Sequence, residues 1–167
     1  MILQEQTIQW KEQQPYTIGV ISYTHGLLRP EVMTSFKGVD FIRQAGDLGD
    51  PDVINHLESV APLVVVRGNM DYGAWAERLP VSKSIAIGKT KLFIIHDIEW
   101  IDDQVVLQDY QVIITGHTHR ALIHKRDNIL FVNPGSAGPR RNLNSVSIGK
   151  IFFRDGRLNA RLVELNV

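Results

Sequence analysis

The chain has 167 residues, 44% of them hydrophobic, which is enough for one domain with a sizeable core and too little to suggest two. Lysine plus arginine and aspartate plus glutamate number 18 each, so no net field selects nucleic acid, an anionic membrane or any other strongly charged partner. The sequence contains no cysteine, which excludes disulfides, thiolate zinc sites and cysteine nucleophiles and leaves nitrogen and oxygen as the metal ligands.

Residues 1–15 are rich in glutamine, end at Pro15 and read as a polar extension or an extra edge strand, with residues 16–167 forming a single domain. The start carries no basic region followed by an apolar run, and no later segment approaches the roughly 20 apolar residues of a membrane span. A soluble cytoplasmic protein with no membrane partner is therefore expected. Apolar runs of strand length recur at residues 17–22, 39–44, 63–67, 91–95 and 111–115, each ending in polar residues or glycine. Residues 30–36 and 51–60 open with proline and have helix-compatible spacing, with Asp50 a candidate cap for the second. Strands alternating with short helices imply a largely parallel sheet.

After Gly116 the strand candidates follow one another closely, at residues 121–125, 129–132, 145–153 and 158–165. Asp127 with Asn128 and Asp155 with Gly156 supply hairpin turns. A strand–helix half followed by a meander half predicts two sheets packed face to face with helices outside. Repeats, low-complexity tracts and linkers are absent from the sequence.

Four of the six histidines fall directly after a predicted strand. Carboxyl ends of strands in α/β sheets converge on one crevice, so residues remote in sequence become neighbours there. His25 follows the first strand, Asp47 the second, Asn69 and Asp71 the third, His96 the next, and His117 and His119 the strand ending at Thr115. Two residues apart on extended backbone, His117 and His119 would project to one side and could each face a metal. Imidazole, carboxylate and amide donors suit manganese, iron, zinc, nickel or similar divalent ions. For His56 and His124, which stand outside this pattern, an exposed or packing role is expected.

The stretches SYTHG, AGDLGD, VRGNMD, FIIHD and GHTH, in that order, resemble the calcineurin-like metallophosphoesterase superfamily, in particular its small bacterial and archaeal phosphodiesterases. The resemblance spans residues 18–140 and includes NPGSAGPR at 133–140. It implies a four-layer αββα sandwich of two mixed sheets carrying two metal ions. One ion would take His25, Asp47, His119 and an aspartate two residues before His25. The other would take Asp47, Asn69, His96 and His117, with Asp47 as the bridge. Two such ions activate a shared water and neutralise charge during in-line attack on phosphorus. The implied function is metal-dependent hydrolysis of a small phosphoester, most naturally a diester, with Asn69 and Asp71 joining the catalytic set.

Tyr23 stands where that aspartate is expected. A phenol with the ordinary pKa of about 10 is neutral and a poor ligand, and its ring fills volume meant for an ion or substrate. Weakened occupancy of the His25 and His119 position is therefore predicted, with tyrosinate coordination to a highly charged ion as the alternative. Met70 stands where wider relatives place a proton-donating histidine, so activated leaving groups should be favoured. Asp97 is a candidate to orient a histidine, and Asp71 to support Asn69 or a histidine. Of Arg120, Arg140 and Arg141, Arg140 is the preferred substrate-binding candidate because the 133–140 motif ends on it. Trp10, Trp75 and Trp100 read as packing residues too dispersed for a nucleic-acid face. The competing function is a non-catalytic protein-interaction scaffold, since the superfamily includes a retromer subunit that uses the fold in that way. Oligomeric state stays open.

Overall fold

The computed structural model describes residues 5–167, so the first four residues of the N-terminal extension lie outside the described residues. The strands are β1 (Glu5–Ile8), β2 (Tyr16–Ile21), β3 (Phe41–Gln44), β4 (Leu63–Val65), β5 (Ser82–Ile87), β6 (Thr90–Ile95), β7 (Val112–Ile114), β8 (Leu122–Arg126), β9 (Ile129–Asn133), β10 (Ser147–Arg154) and β11 (Arg157–Glu164). The helices are α1 (Pro30–Ser35), α2 (Asp52–Glu58) and α3 (Ala74–Glu77).

Two mixed sheets result, ordered β11-β10-β2-β3-β4 and β1-β5-β6-β7-β9-β8. Within the first, β2, β3 and β4 run parallel, and β10 joins β2 antiparallel. In the second, β6, β7 and β9 run parallel, whereas β5 and β8 are antiparallel to their neighbours β6 and β9. Alternation along the strands sorts apolar side chains into layers. Ile18, Val20 and Phe41 of one sheet meet Ile85, Leu92, Ile94, Val112 and Ile114 of the other in the central core. Ile21, Ile42 and Ile148 point the opposite way, onto Val32 and Phe36 of α1 and Val53 and Leu57 of α2. The outer face of the six-stranded sheet buries Phe93, Ile95, Ile113 and Ile129 under a segment holding two 3-10 turns, Ile98–Trp100 and Leu107–Asp109. The architecture is the expected four-layer sandwich, with 3-10 turns forming the layer over the six-stranded sheet.

Two elements go beyond the sequence expectation. Strand β5 opens with the polar residues Ser82, Lys83 and Ser84 and has only Ile85, Ala86 and Ile87 as an apolar run, and it is set by pairing with β1 on one side and β6 on the other. Helix α3 has only four residues, too short for a periodic signal. Asp50 lies two residues ahead of the first residue of α2, its Oδ1 accepting from Asp52 N at 2.8 Å. Both hairpin turns take the left-handed pairs that type I′ requires, with φ of 51° and 63° at Asp127 and Asn128 and 52° and 71° at Asp155 and Gly156. In the extension, β1 pairs in parallel with β5, and Trp10 packs edge-on against Tyr16 and Phe41 with centroids 5.7 and 5.2 Å away.

Candidate active site

The parallel strands of both sheets deliver their carboxyl ends to one edge, and the loops there are stitched together by backbone bonds. Tyr23 N donates to Gly46 O at 3.1 Å and His25 N to Asp47 O at 3.2 Å, so the loop after β2 continues its pairing with the loop after β3. Gly116 N donates to His96 O at 2.9 Å, joining the loops after β7 and β6. The segment 133–140 braces both sheets. Asn133 Nδ2 donates to Gly116 O at 2.6 Å and Thr118 Oγ1 at 3.1 Å, while Gly138 N donates to Tyr23 O at 2.9 Å.

Five of the seven candidate positions take left-handed backbone, with φ of 54° at Tyr23, 46° at His25, 58° at Asp47, 62° at His117 and 57° at His119. Side chains other than glycine, asparagine and aspartate rarely adopt this region, and it persists where the surroundings over-determine it, as at functional sites. This also alters the expectation for His117 and His119, whose backbone is not extended. His117 turns toward Asn69, with Nδ1 3.2 Å from Asn69 Oδ1, while the His119 ring packs on Tyr23 at 3.8 Å between centroids.

One group of donors converges on Asn69. His96 Nε2 lies 3.0 Å from Asn69 Oδ1 and 3.4 Å from Asp47 Oδ2. The other ring nitrogen, Nδ1, is 2.6 Å from the Ala45 carbonyl, which can only accept, so Nδ1 carries its proton and Nε2 presents a lone pair in the neutral ring. A lone pair, an amide oxygen and a carboxylate oxygen therefore face one another with His117 beside them, a donor set suited to a cation. Burial opposes charge on His96, but the hydrogen bonds to Asp47 and the Ala45 carbonyl and the charge of Asp47 prevail and raise its pKa. Burial likewise opposes the Asp47 carboxylate, yet the bond and charge of His96 and the Met70 N–H at 2.9 Å lower its pKa. A proton and a metal would thus compete for the same Nε2. Among the described residues, no three histidine or acidic side chains form a metal-binding group by themselves, and the Asn69 amide oxygen lies within 3.0 Å of His96 Nε2 and 3.2 Å of His117 Nδ1.

Close backbone approach fixes the carboxylate. A Cβ on Gly46, where φ is 90°, would sit 2.5 Å from His96 Nδ1, and one on Gly68 would overlap the Asp47 carboxylate. Asp71 spends both oxygens on this loop pair, accepting from Asp47 N at 2.9 Å, Gly68 N at 2.8 Å and Gly49 N at 3.0 Å. Both Asp71 oxygens thus accept from the backbone of the loops that carry Asp47 and Asn69. Asp97 Oδ2 lies 3.4 Å from His117 Nε2, consistent with an orienting role.

The other half of the site is closed. Tyr23 is 5% exposed, and its ring meets His25 and His119 edge-on at 4.3 and 3.8 Å between centroids. His25 Nε2 and His119 Nδ1 are buried with no hydrogen-bond partner. Burial and, after it, the charge of Arg141 depress the His119 pKa to about 4. The residues around His25 and His119 do not fit an ion, because the Tyr23 ring packs against both imidazoles.

Arg140 is not at this site. Its Nη2 donates to Val167 O at 3.1 Å, and it is Arg141 whose Nε donates to Tyr23 Oη at 2.7 Å. Neighbouring side chains of this non-helical segment diverge, and the sequence offered no signal to choose between them. The Trp100 ring, read from the sequence as a packing residue, is exposed and lies 5.7 Å from His96 and 6.4 Å from His117 between centroids. His56 bonds within α2 through Nδ1 and Asp52 O at 2.7 Å, and His124 stacks on Phe131 at 4.7 Å, both away from the cluster as expected.

Residues 16–151 match the model of the calcineurin-like phosphoesterase superfamily domain. A probable metallophosphoesterase of Methanothermobacter thermautotrophicus is 35% identical over 162 residues, covering 87% of this chain and 91% of the relative. Among solved structures, one described as a novel archaeal phosphodiesterase is 25% identical, covers 89% of this chain and 99% of its own, and superposes with a TM-score of 0.70. Vacuolar protein sorting 29 of Cryptosporidium parvum has the same TM-score of 0.70 at 18% identity, covering 90% of this chain and 98% of its own, a likeness of fold.

Proposed function

The chain belongs to the calcineurin-like phosphoesterase superfamily, and from that premise we propose that it is a metal-dependent phosphoesterase acting on a small phosphodiester, with Asp47, Asn69, His96 and His117 as its working ligand set. The observation that carries this reading is the Nε2 of His96, which presents a lone pair in the neutral ring because Nδ1 is held by the Ala45 carbonyl, and which is aimed at Asn69 Oδ1 and Asp47 Oδ2 at 3.0 and 3.4 Å. A divalent ion held there would supply Lewis-acid charge to the phosphate and lower the pKa of the attacking water. The chain's own residues do the positioning. Asp71 ties the Asp47 loop to the Asn69 loop, and Asp97 holds the exposed His117 ring against its rotation. Met70 offers a backbone N–H to Asp47 and no side-chain proton to a leaving group. Leaving-group protonation then falls to water, which favours esters of acidic alcohols or phenols.

Hydrolysis of bis(4-nitrophenyl) phosphate should appear with manganese, vanish on chelation and fall by about 100-fold in Asn69→Ala, an amount in keeping with loss of one ligand or its support. No turnover despite bound metal would favour the scaffold reading, for which the ring of Tyr23 among the histidines is the supporting feature.

A further inference from the structure

The side of the site closed by Tyr23 still carries a cation. Arg141 follows the 133–140 brace, is exposed, and places its guanidinium carbon 5.1 Å from the Tyr23 ring centroid while Nε donates to Tyr23 Oη at 2.7 Å. Among the described residues, neither Nη group of Arg141 donates to a protein atom, and the side chain is exposed. Tyr23 is a rigid anchor for it, being buried, gripped through its backbone by Gly46 and Gly138, and packed edge-on between His25 and His119.

We propose that Arg141, held by Tyr23, is the phosphate-binding cation of this site, a fixed guanidinium standing in for the charge of a first metal ion, so that the site works with one ion. The inference rests on the phosphoesterase reading above. Two Nη groups on one planar edge match two phosphate oxygens, a pairing that a compact ammonium cannot reproduce. With Nε spent on a buried phenol, the side chain is oriented before substrate arrives, which lowers the ordering cost of binding. The guanidinium over the ring gains further from the π face it covers. A singly charged phosphodiester suits one divalent ion plus one guanidinium, and the Tyr23 ring keeps a second ion out of the volume between His25 and His119.

The test is calorimetric titration of inorganic phosphate into the manganese-loaded full chain, with manganese per chain counted on the same samples after desalting. Expected are one ion per chain in the wild type and in Arg141→Gln, with phosphate binding about tenfold or more weaker in Arg141→Gln, in line with loss of a charged hydrogen-bonding partner. Arg141→Lys should recover only part of the loss, and Tyr23→Phe, which keeps the ring and deletes the anchor, should fall between. Equal phosphate affinity in wild type and Arg141→Gln at one ion per chain overturns the inference and leaves the metalloenzyme reading standing. Two retained ions in the wild type overturn it as well. Phosphate binding that depends on Arg141 in a chain retaining no metal supports the role of Arg141 and overturns the metalloenzyme reading instead.

Discussion

At position 23 a carboxylate and a phenol differ in charge, in reach and in the backbone they tolerate. Tyr23 sits at φ 54°, where aspartate is at home and an aromatic side chain is strained. Tyr23→Asp should therefore relax the backbone while removing packed ring volume and adding a carboxylate beside His25 and His119. In the absence of metal the variant is expected to melt lower than the wild type, because a buried charge lacks a partner. With manganese at 100 times its dissociation constant, about 2.7 kcal/mol should return through binding. Diester hydrolysis should rise on the order of tenfold, equivalent to about 1.4 kcal/mol of the barrier. Thermal melts with and without manganese, with the diester assay alongside, check this, and a melting temperature indifferent to metal would count against it. The presence of tyrosine was plain in the sequence. What it does to space was not, since that depends on left-handed backbone at Tyr23, His25 and His119, which no intrinsic preference of tyrosine or histidine announces.

Strands β2 and β3 carry a second polar anomaly. Arg43 is 1% exposed on the strand face that also carries Phe41 and Ala45 into the central core, and its Nε and Nη2 find no partner. Burial depresses its pKa to about 10, which leaves it charged at neutral pH. Replacing a poorly compensated buried charge by an apolar side chain of similar length is commonly stabilising, so Arg43→Met should raise stability by about 1–3 kcal/mol, read from the urea midpoint. A lower midpoint would mean that the single bond from Nη1 to Ile42 O at 2.9 Å, together with packing on Phe41, outweighs desolvation. On the same sheet face, in the neighbouring strand β2, lies the buried Tyr16 hydroxyl, with no well-formed hydrogen bond. Burial raises its pKa against the smaller opposing influences of Thr90 and Arg43. The folded state therefore keeps the phenol proton longer than the unfolded chain does. Its contribution is complete below the unfolded value of about 10 and is lost as pH rises beyond it. Tyr16→Phe should flatten that alkaline decline in denaturation series above pH 10. Long apolar runs such as β2, β6 and β10 were legible from sequence because burial on both faces selects them. Strand β5 was not, because its apolar run is only Ile85, Ala86 and Ile87 after three polar residues, and its partners β1 and β6 supply the rest.

For the molecule as a whole, the placement of histidines and acids after strands made the site legible before the fold, since parallel strands in both sheets end at one edge. Six candidate ligands lie in the loops that meet there, and two sets form among them. Asp47, Asn69, His96 and His117 converge through contacts of 3.0 to 3.4 Å. His25 and His119 are separated from an open donor set by the Tyr23 ring. A motif boundary says which residues are adjacent and nothing about which of two neighbouring arginines reaches Tyr23, as Arg141 does and Arg140 does not. Family membership covers the scaffold from 16 to 151, and the β1 strand and Trp10 add an edge and an aromatic contact ahead of that span. The most direct measurement is an anomalous difference map from crystals equilibrated with manganese. The expected result is one peak, bounded by Asp47 Oδ2, Asn69 Oδ1, His96 Nε2 and His117. A peak between His25 and His119, or none beside Asn69, would contradict it.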